Sequence, residues 1–194
     1  IGALVGVAIS VFRKLVVFFQ GQMLLAFDVF RSGWVSGVVG IVVLGGLGLV
    51  VGLLTQKEKM IGGSGIPQVA GQLNDKVEIE WKRVFLFKFL GGLIALATGL
   101  TVGREGPSVQ MGATLGQGVA EIGRREKEEK KLFMTAGAAA GLAAAFNAPL
   151  SGIVFVLEEL HQRFEKKLFL IAGASALVAD FVAGLFFGNR PVIG

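Results

Sequence analysis

The sequence has no cysteine and is poor in charged residues. Its 194 residues include 19 Lys and Arg, 14 Asp and Glu, and a single His. The lack of cysteine excludes disulfide bonds and thiol chemistry. Charged residues make up only 17% of the chain and the mean hydropathy is +0.70, which is too apolar for an ordinary soluble domain. These shortages favour an integral membrane protein.

Long apolar runs are correspondingly common. Residues 33–54 and 132–157 carry no charge, and residues 168–187 carry only Asp180. Each run is close to the ~20 residues that a helix needs to cross a bilayer. Residues 1–19 also predict a helix despite Arg13 and Lys14, and the 30 glycines favour close helix packing in lipid. We therefore expect an all-α, multi-pass membrane protein in which residues 1–194 form a single transmembrane domain.

The net charge of +5 does not by itself indicate a nucleic-acid partner. Basic residues fall in short clusters of mixed sign, at 57–59, 76–83 and 124–131, between the apolar segments. Such clusters are typical of solvated loops and helix ends. We expect the lipid bilayer, rather than nucleic acid, to be the surroundings of this chain.

Glycine and proline interrupt the apolar sequence at residues 62–67, 103–107 and 147–149. The pattern predicts helices over 81–102, 108–122 and 132–146, short segments at 66–73 and after Pro149, and a charged loop over 123–131. Transporters use broken helices whose N-termini meet near the bilayer midplane to form an anion site. Glycine and proline are also common in transmembrane helices, but Ser, Arg and Glu at these breaks favour a site.

The first interruption contains Ser64, whose hydroxyl can donate a hydrogen bond. The N–H groups after it begin a helix that carries Pro67 in its first turn, so dipoles and a hydroxyl could hold a small anion. The string Gly-Gly-Ser-Gly has a superficial likeness to a phosphate loop. It lacks the Gly-Lys-Ser/Thr ending and the flanking strand that a phosphate loop requires.

The second interruption places Arg104 and Glu105 together between apolar segments. Ionisable residues at membrane depth indicate a transport or proton-handling site. Gly106 permits unusual backbone geometry and Pro107 suits the first turn of a helix. A charged Glu105 at a helix N-terminus would occupy the place of an anion, and a protonated one could leave, without any cofactor. Arg104 could either attract anions or pair with a carboxylate.

Other ionisable residues allow two interpretations. Glu158 and Glu159 are either a helix end in water or a place where protons enter, and His161 nearby does not complete the two-His, one-Glu motif of zinc proteases. Lys88 lies in an apolar helix, so it must pair with a carboxylate or lie near a polar cavity. We expect Asp180 to have a structural role. We find no pattern for nucleophilic catalysis or a metal site, so we expect no enzyme and no cofactor.

Taken together, three motifs resemble the CLC family of chloride channels and chloride/proton antiporters. They are Gly-Ser-Gly-Ile-Pro at 63–67, Gly-Arg-Glu-Gly-Pro at 103–107 and Phe-Asn-Ala-Pro-Leu at 146–150, in the family's order and near its spacing. The resemblance implies half of an inverted-repeat fold of tilted, broken helices. It implies that the anion is bound by Ser64, Gly65, Ile66, Pro67, Gly106 and Pro107. It also implies gating and proton transfer by Glu105 and Glu159, with accessory roles for Arg104, Glu158 and Lys88.

Within the family, Glu159 stands where antiporters keep an internal proton-transfer glutamate and channels generally have a non-acidic residue. The resemblance therefore favours exchange of chloride for protons, with a passive voltage- or proton-gated chloride channel as the alternative. Ser64 matches chloride-preferring members. A non-transporting membrane scaffold subunit is a further alternative, suggested by the part of the family pattern that is missing.

The chain also departs from the family pattern. Members have two inverted halves, and this chain matches the first; it lacks the Gly-x-Phe-x-Pro motif and has no tyrosine to complete the anion site. We expect a longer protein or a two-part assembly that supplies the second half. Gln68 and Ala70 stand where some bacterial members carry acids. The resemblance also implies a homodimer, with residues 150–157 and 168–187 near its interface, in the plasma (inner) membrane of a prokaryote.

Overall fold

The computed structural model describes residues 1–100, 102–162 and 164–188, and all regular structure in these residues is helical. The α-helices in this part of the chain are α1 (Gly2–Phe30), α2 (Trp34–Lys57), α3 (Ile66–Leu73), α4 (Trp81–Ala97), α5 (Glu105–Ile122), α6 (Lys127–Phe146), α7 (Pro149–Phe155) and α8 (Lys166–Phe187). A 3₁₀ turn at Lys59–Ile61 precedes α3, and a π-helical turn at Val156–His161 continues α7. The all-α prediction is thus confirmed.

Three helices are long and apolar enough to cross a bilayer: α1, α2 and α8, with 29, 24 and 22 residues. Helix α2 has Gly40 as its one buried residue and is otherwise largely uncovered by the rest of the described chain. Helices α3 and α7 have 8 and 7 residues, too few to span. The expected mixture of full-length and broken helices is therefore present.

The centre of the molecule is the packing of α5 against α6. Helix α8 packs on α6, and α1 packs against α8, α6 and α4. Bare backbone makes this contact: a Cβ on Gly112 would overlap the carbonyl oxygen of Gly137, and one on Gly141 would overlap that of Ser108. The alanines of α6 at 138–140 and 143–145 are fully buried. Close approach of small residues, rather than large apolar side chains, fills this core.

Several helix boundaries differ from those that the sequence predicts. Helix α1 continues from the expected end at 19 to Phe30, and the amide of Gln20 is accommodated by donating to the carbonyl of Leu96 at 3.0 Å. Helix α4 ends at Ala97 instead of 102, because Thr98 bonds back to the last turn and Gly99 adopts a φ of +82°.

The two following helices begin earlier than expected. Helix α5 begins at Glu105 rather than at 108, so Pro107 still lies in the first turn. Helix α6 begins at Lys127, inside the expected charged loop, because Glu128 and Glu129 in its first turn complement the helix dipole. The apolar run 132–157 is broken as expected, at Asn147, which has a φ of 53°.

A charged cluster ties the loop after α3 to the start of α6. Asp75 accepts hydrogen bonds from Lys131 at 2.9 Å and forms an ion pair with Lys127 at 3.0 Å. These bonds, chiefly the one from Lys131, lower the pKa of the Asp75 carboxyl below its ordinary value. A carboxylate with a depressed folded-state pKa stabilises the fold above its unfolded pKa, and loses that contribution as pH falls through the folded pKa.

We predict that Asp75→Asn, which keeps a side chain tolerant of the positive φ of 58°, slightly lowers the melting temperature at neutral pH. The difference from wild type should shrink as pH falls below the ordinary aspartate pKa of about 4, where Asp75 takes up a proton in the unfolded chain, and it should vanish below the lowered pKa of the folded state. Thermal unfolding of the purified full-length protein between pH 3 and pH 7 measures both curves. A difference that stays constant across that range contradicts a role for the Asp75 charge.

We also predict that Gly112→Ala destabilises the fold by about 1–3 kcal/mol, because the added methyl group meets the rigid backbone of α6. Gly46→Ala on α2 is the matched control, since a Cβ there meets no atom within 4 Å. Melting temperatures in detergent compare the two variants. Equal melting temperatures would mean that the α5–α6 contact tolerates separation.

Candidate anion-binding site

The first turns of α3 and α5 are in direct contact. A Cβ on Gly106 would overlap the backbone of Ser64, so the start of α5 presses on the loop that precedes α3. Gly65, at the N-terminus of α3, has a φ of +87° and lies against the side chain of Gln110 from α5. Glycine is required at both positions. A side chain at Gly106 would clash with Ser64, and one at Gly65 would clash with Gln110 and would also be strained at this positive φ.

The hydroxyl of Ser64 is oriented by its own loop. The backbone N–H of Ile66 donates to Ser64 Oγ at 3.3 Å. Since that oxygen accepts a bond from the protein, the hydroxyl hydrogen is left to donate outward. Ser64 is exposed, so an anion can reach this donor.

Side chains hold the loop before Ser64 by its carbonyl groups. Lys88, which is only 4% exposed, donates from Nζ to the carbonyls of Ile61 and Gly63, each at 2.9 Å. Gln110 donates to the carbonyl of Met60 at 2.7 Å, and Gln68 donates to that of Gly62 at 3.0 Å. The four consecutive carbonyls at 60–63 are therefore all fixed. Backbone oxygens, and not the carboxylate that the sequence suggests as one alternative, satisfy the lysine.

Residues 61–64 and Lys88 line a cavity of about 530 Å³. Of the residues that the sequence singles out, the cavity wall contains Ser64, Ile66, Lys88, Glu105, Gly106 and Pro107. Gly65 and Pro67 lie in the same first turn of α3 as Ile66. The structure thus brings the first two interruptions of the sequence to a single cavity.

Glu105 is the first residue of α5, and its side chain is exposed at the cavity. The N–H groups of a helix's first turn have no intrahelical acceptor, and here the first such bond within this turn runs from Ser108 to the carbonyl of Arg104. Those free N–H groups and the helix dipole favour negative charge. The Glu105 carboxylate and a small anion are therefore suited to the same end of α5. Arg104 is half-buried immediately before it.

Arg13 is an important residue that the sequence did not identify. It is 6% exposed, donates to the carbonyl of Ala144 and, at 2.9 Å, to Oδ1 of Asn147, and its guanidinium lies 4.1 Å from the ring centre of Phe187. Arg13 thus joins α1 to the third interruption and to the end of α8. The signal available in the sequence was a charged residue within an apolar helix. The partners of Arg13, however, lie more than a hundred residues away along the chain.

Glu158 and Glu159 lie in the π-helical turn and are exposed. Val156 and Leu160 of this turn pack in the same core cluster as Val69 of α3. The turn is therefore positioned beside α3, yet Glu159 is not among the described residues that line the cavity with Glu105. Near its end, His161 Nε2 lies 2.8 Å from the hydroxyl oxygen of Thr135.

Comparison with known sequences finds one family and a group of bacterial relatives. The profile of the voltage gated chloride channel family matches residues 47–194. Proteins named H(+)/Cl(-) exchange transporter ClcA, from Salmonella arizonae and Salmonella agona, are each 41% identical over 135 residues. That match covers 68% of this chain and 28% of each relative. The chain thus spans about a quarter of the length of the curated relatives it matches.

Comparison with solved structures extends over nearly the whole chain. A slow cyanobacterial Cl⁻/H⁺ antiporter is similar with a TM-score of 0.92 and 30% identity, over 100% of this chain and 46% of that one. A eukaryotic CLC transporter gives a TM-score of 0.75 and 27% identity, over 95% and 37%. A CLC-type fluoride/proton antiporter, at 24% identity and a TM-score of 0.80, shows the shared fold alone.

We predict that the full-length protein binds chloride at this cavity and that Lys88→Met weakens this binding about tenfold, because the carbonyls of Ile61 and Gly63 lose a charged donor and the Ser64 loop loosens. Lys82→Met on the same helix is the matched control, since Lys82 is exposed. Isothermal titration calorimetry with chloride compares the two. Equal affinities for both variants contradict a role for Lys88 in positioning the loop.

Proposed function

Since this chain belongs to the voltage gated chloride channel family, and corresponds to the first part of its fold, we propose that the protein containing it exchanges chloride for protons across a membrane. The observation that carries the proposal is the meeting of Ser64, Glu105 and the first turn of α5 in one cavity. The similar bacterial proteins are named as H(+)/Cl(-) exchange transporters, which supports the same activity. The protein is then a secondary transporter and not an enzyme.

In this proposal the anion is bound by donors rather than by a full positive charge. The Ser64 hydroxyl and the backbone N–H groups at Gly65 and Gly106 supply them. Ile66 contributes through the N–H that donates to Ser64 Oγ and so orients the hydroxyl. Pro67 and Pro107 fix first turns from which no helical N–H is lost. Lys88 contributes by holding the loop, and its charge adds to the positive potential of the cavity. Chloride, which needs no directional bonding, suits this arrangement of dipoles.

Glu105 acts as the gate. When ionised, its carboxylate competes with chloride for the N-terminal end of α5. When protonated, it loses that attraction and can leave the cavity, so chloride binding and proton binding alternate. Arg104 adds positive charge beside the gate. No cofactor takes part in this cycle.

Glu159, assisted by Glu158, is the proposed relay that receives protons from the solution. Its exposed position beside α3 supports proton exchange with water. The same exposure, and the placement of Glu159 outside the cavity wall, favour a passive chloride channel as the second candidate. In a channel Glu105 would open and close the cavity without carrying protons, and Glu159 would be a solvated helix end. A scaffold subunit that binds no chloride is the remaining alternative.

We further propose that a second half, in the same or another chain, completes the anion site. We propose that the protein forms a homodimer and lies in the inner membrane of a prokaryote. The bacterial source of the similar exchange transporters supports that location.

We predict that Glu105→Gln abolishes proton uptake but leaves chloride flux, because the amide has no carboxylate that can take up and release a proton. Glu159→Gln should reduce proton uptake while chloride still moves. The measurement is simultaneous chloride efflux and proton uptake by the full-length protein in liposomes, driven by a chloride gradient. Glu129→Gln, at an exposed ion pair on α6, is the control and should keep the wild-type ratio.

Wild-type proton uptake against its own gradient is the expected result. Chloride efflux without proton movement in the wild type would establish the channel instead. Unaltered coupling in Glu105→Gln would contradict the assignment of the gate. Absence of both chloride flux and chloride binding would favour the scaffold.

A further inference from the structure

A stripe of polar side chains follows the buried face of α5. Gln110, Thr114, Gln117 and Glu121 are separated by four, three and four residues, which places them on one face of the helix. The first three are at most 2% exposed. Such a stripe is unusual in a core otherwise built from glycine, alanine and valine, because buried polar groups must be satisfied.

Helix α3 contributes a matching pair of glutamines, Gln68 and Gln72, one turn apart. Gln72 Nε2 donates to Gln117 Oε1 at 3.0 Å, which joins the two helices. Gln117 Nε2 in turn donates to the carbonyl of Ile79 at 2.7 Å and to Glu121 Oε1 at 2.9 Å. We call Gln68, Gln72, Gln110, Thr114 and Gln117 the glutamine seam.

Three acceptors in the glutamine seam are left over. The Oε1 atoms of Gln68, Gln72 and Gln110 are buried, and no donor from the described residues reaches any of them. Gln110 is fully buried and Gln72 is only 8% exposed. Because all three atoms accept hydrogen bonds, they cannot satisfy one another. They need a donor from outside the described residues, and a water molecule brings two.

The glutamine seam runs between two cavities. At one end Gln110 bonds to the carbonyl of Met60 and lies against Gly65, beside the Ser64 cavity. At the other end Gln72 and Gln117 line a second cavity of about 390 Å³, together with charged residues. These charged residues are Asp75, Glu78, Glu121, Lys127, Lys130 and Lys131. The length between the ends is that of α3, roughly 12 Å for 8 residues.

We propose that the glutamine seam binds a file of water molecules and forms a proton route between the charged cavity and the anion cavity. Each water accepts a proton from one neighbour and passes another to the next, so no bond to the protein forms or breaks. The glutamine amides orient the file but do not titrate. This route is separate from Glu159, and its use for protons rests on the proposed exchange function.

Access of water to the glutamine seam is tested by cysteine reactivity, which does not depend on transport. Residues 1–194 contain no cysteine, so Thr114→Cys introduces a single thiol here, in full-length protein from which any other cysteine has been removed. The probe is silver ion in nitrate buffer, which is small enough to follow water. Val109→Cys is the matched control, because Val109 is equally buried but lies in the apolar cluster.

We expect silver to protect Thr114→Cys from later alkylation about tenfold faster than Val109→Cys, since only a hydrated thiol ionises readily. Mass spectrometry of the denatured, alkylated protein reads the protected fraction. Equal rates for the two cysteines would overturn the water file. This result stands whether or not the protein exchanges chloride for protons.

The proton route is tested by transport through Gln72→Leu, which removes one side of the glutamine seam without changing charge. The proton-to-chloride ratio should fall roughly threefold, because a buried water loses its partner. Gln20→Leu is the control, as it removes one glutamine hydrogen bond outside the seam. The melting temperatures of both variants show whether they fold.

The two tests separate the two proposals. If silver protects Thr114→Cys quickly but Gln72→Leu leaves the proton-to-chloride ratio unchanged, the water file is supported and the proton route is overturned. If silver protects Thr114→Cys quickly but the wild-type protein moves no protons, the exchange function and the proton route are both overturned, while the water file stands. If Gln72→Leu unfolds, Gln72→Met serves in its place with the same expected ratio.

Discussion

The contact between Gly106 and the backbone of Ser64 is the constraint on which the rest of the site depends. Two helix N-termini can act on one anion only if they come within a few ångströms, and any side chain at Gly106 would separate them. The remaining features serve this approach. Gly65 adopts the left-handed conformation that begins α3, and the glycines of α5 and α6 bring the supporting helix close enough to hold α5 in place.

The sequence predicted which helix breaks meet at one cavity better than it predicted where the surrounding helices end. Ser64 and Glu105 could be identified because glycine and proline mark helix breaks locally, and because polar residues at such breaks are costly without a role. The sequence could not predict that α1 ends at Phe30 or that α4 ends at Ala97. Each end depends on packing or on a local turn that has no distinctive motif. The start of α6 was equally hard to predict. Residues 127–131 belong to this helix, but charged residues suit a solvated loop and the start of a helix equally.

The partners of buried charges were beyond sequence reasoning for a different reason. The contact between Arg13 and Asn147 joins residues 134 positions apart, and nothing in either local segment specifies it. The same holds for Lys88, whose acceptors are carbonyl groups 25 and 27 residues away. Every residue has a carbonyl, so composition cannot indicate which ones a lysine will find. The sequence left two alternatives for Lys88, a carboxylate partner or a position at a cavity, and the structure places it in the cavity wall with carbonyl acceptors.

The choice of carbonyl acceptors for Lys88 has a consequence for how the site responds to acid. Carbonyl oxygens do not take up protons at any pH that the protein meets, whereas a carboxylate partner would release the lysine on acidification. The attachment of the Ser64 loop is therefore indifferent to an acidic surrounding, while Glu105, which lines the same cavity, carries a carboxylate. Acid can act on one part of the cavity lining and leave another part in place.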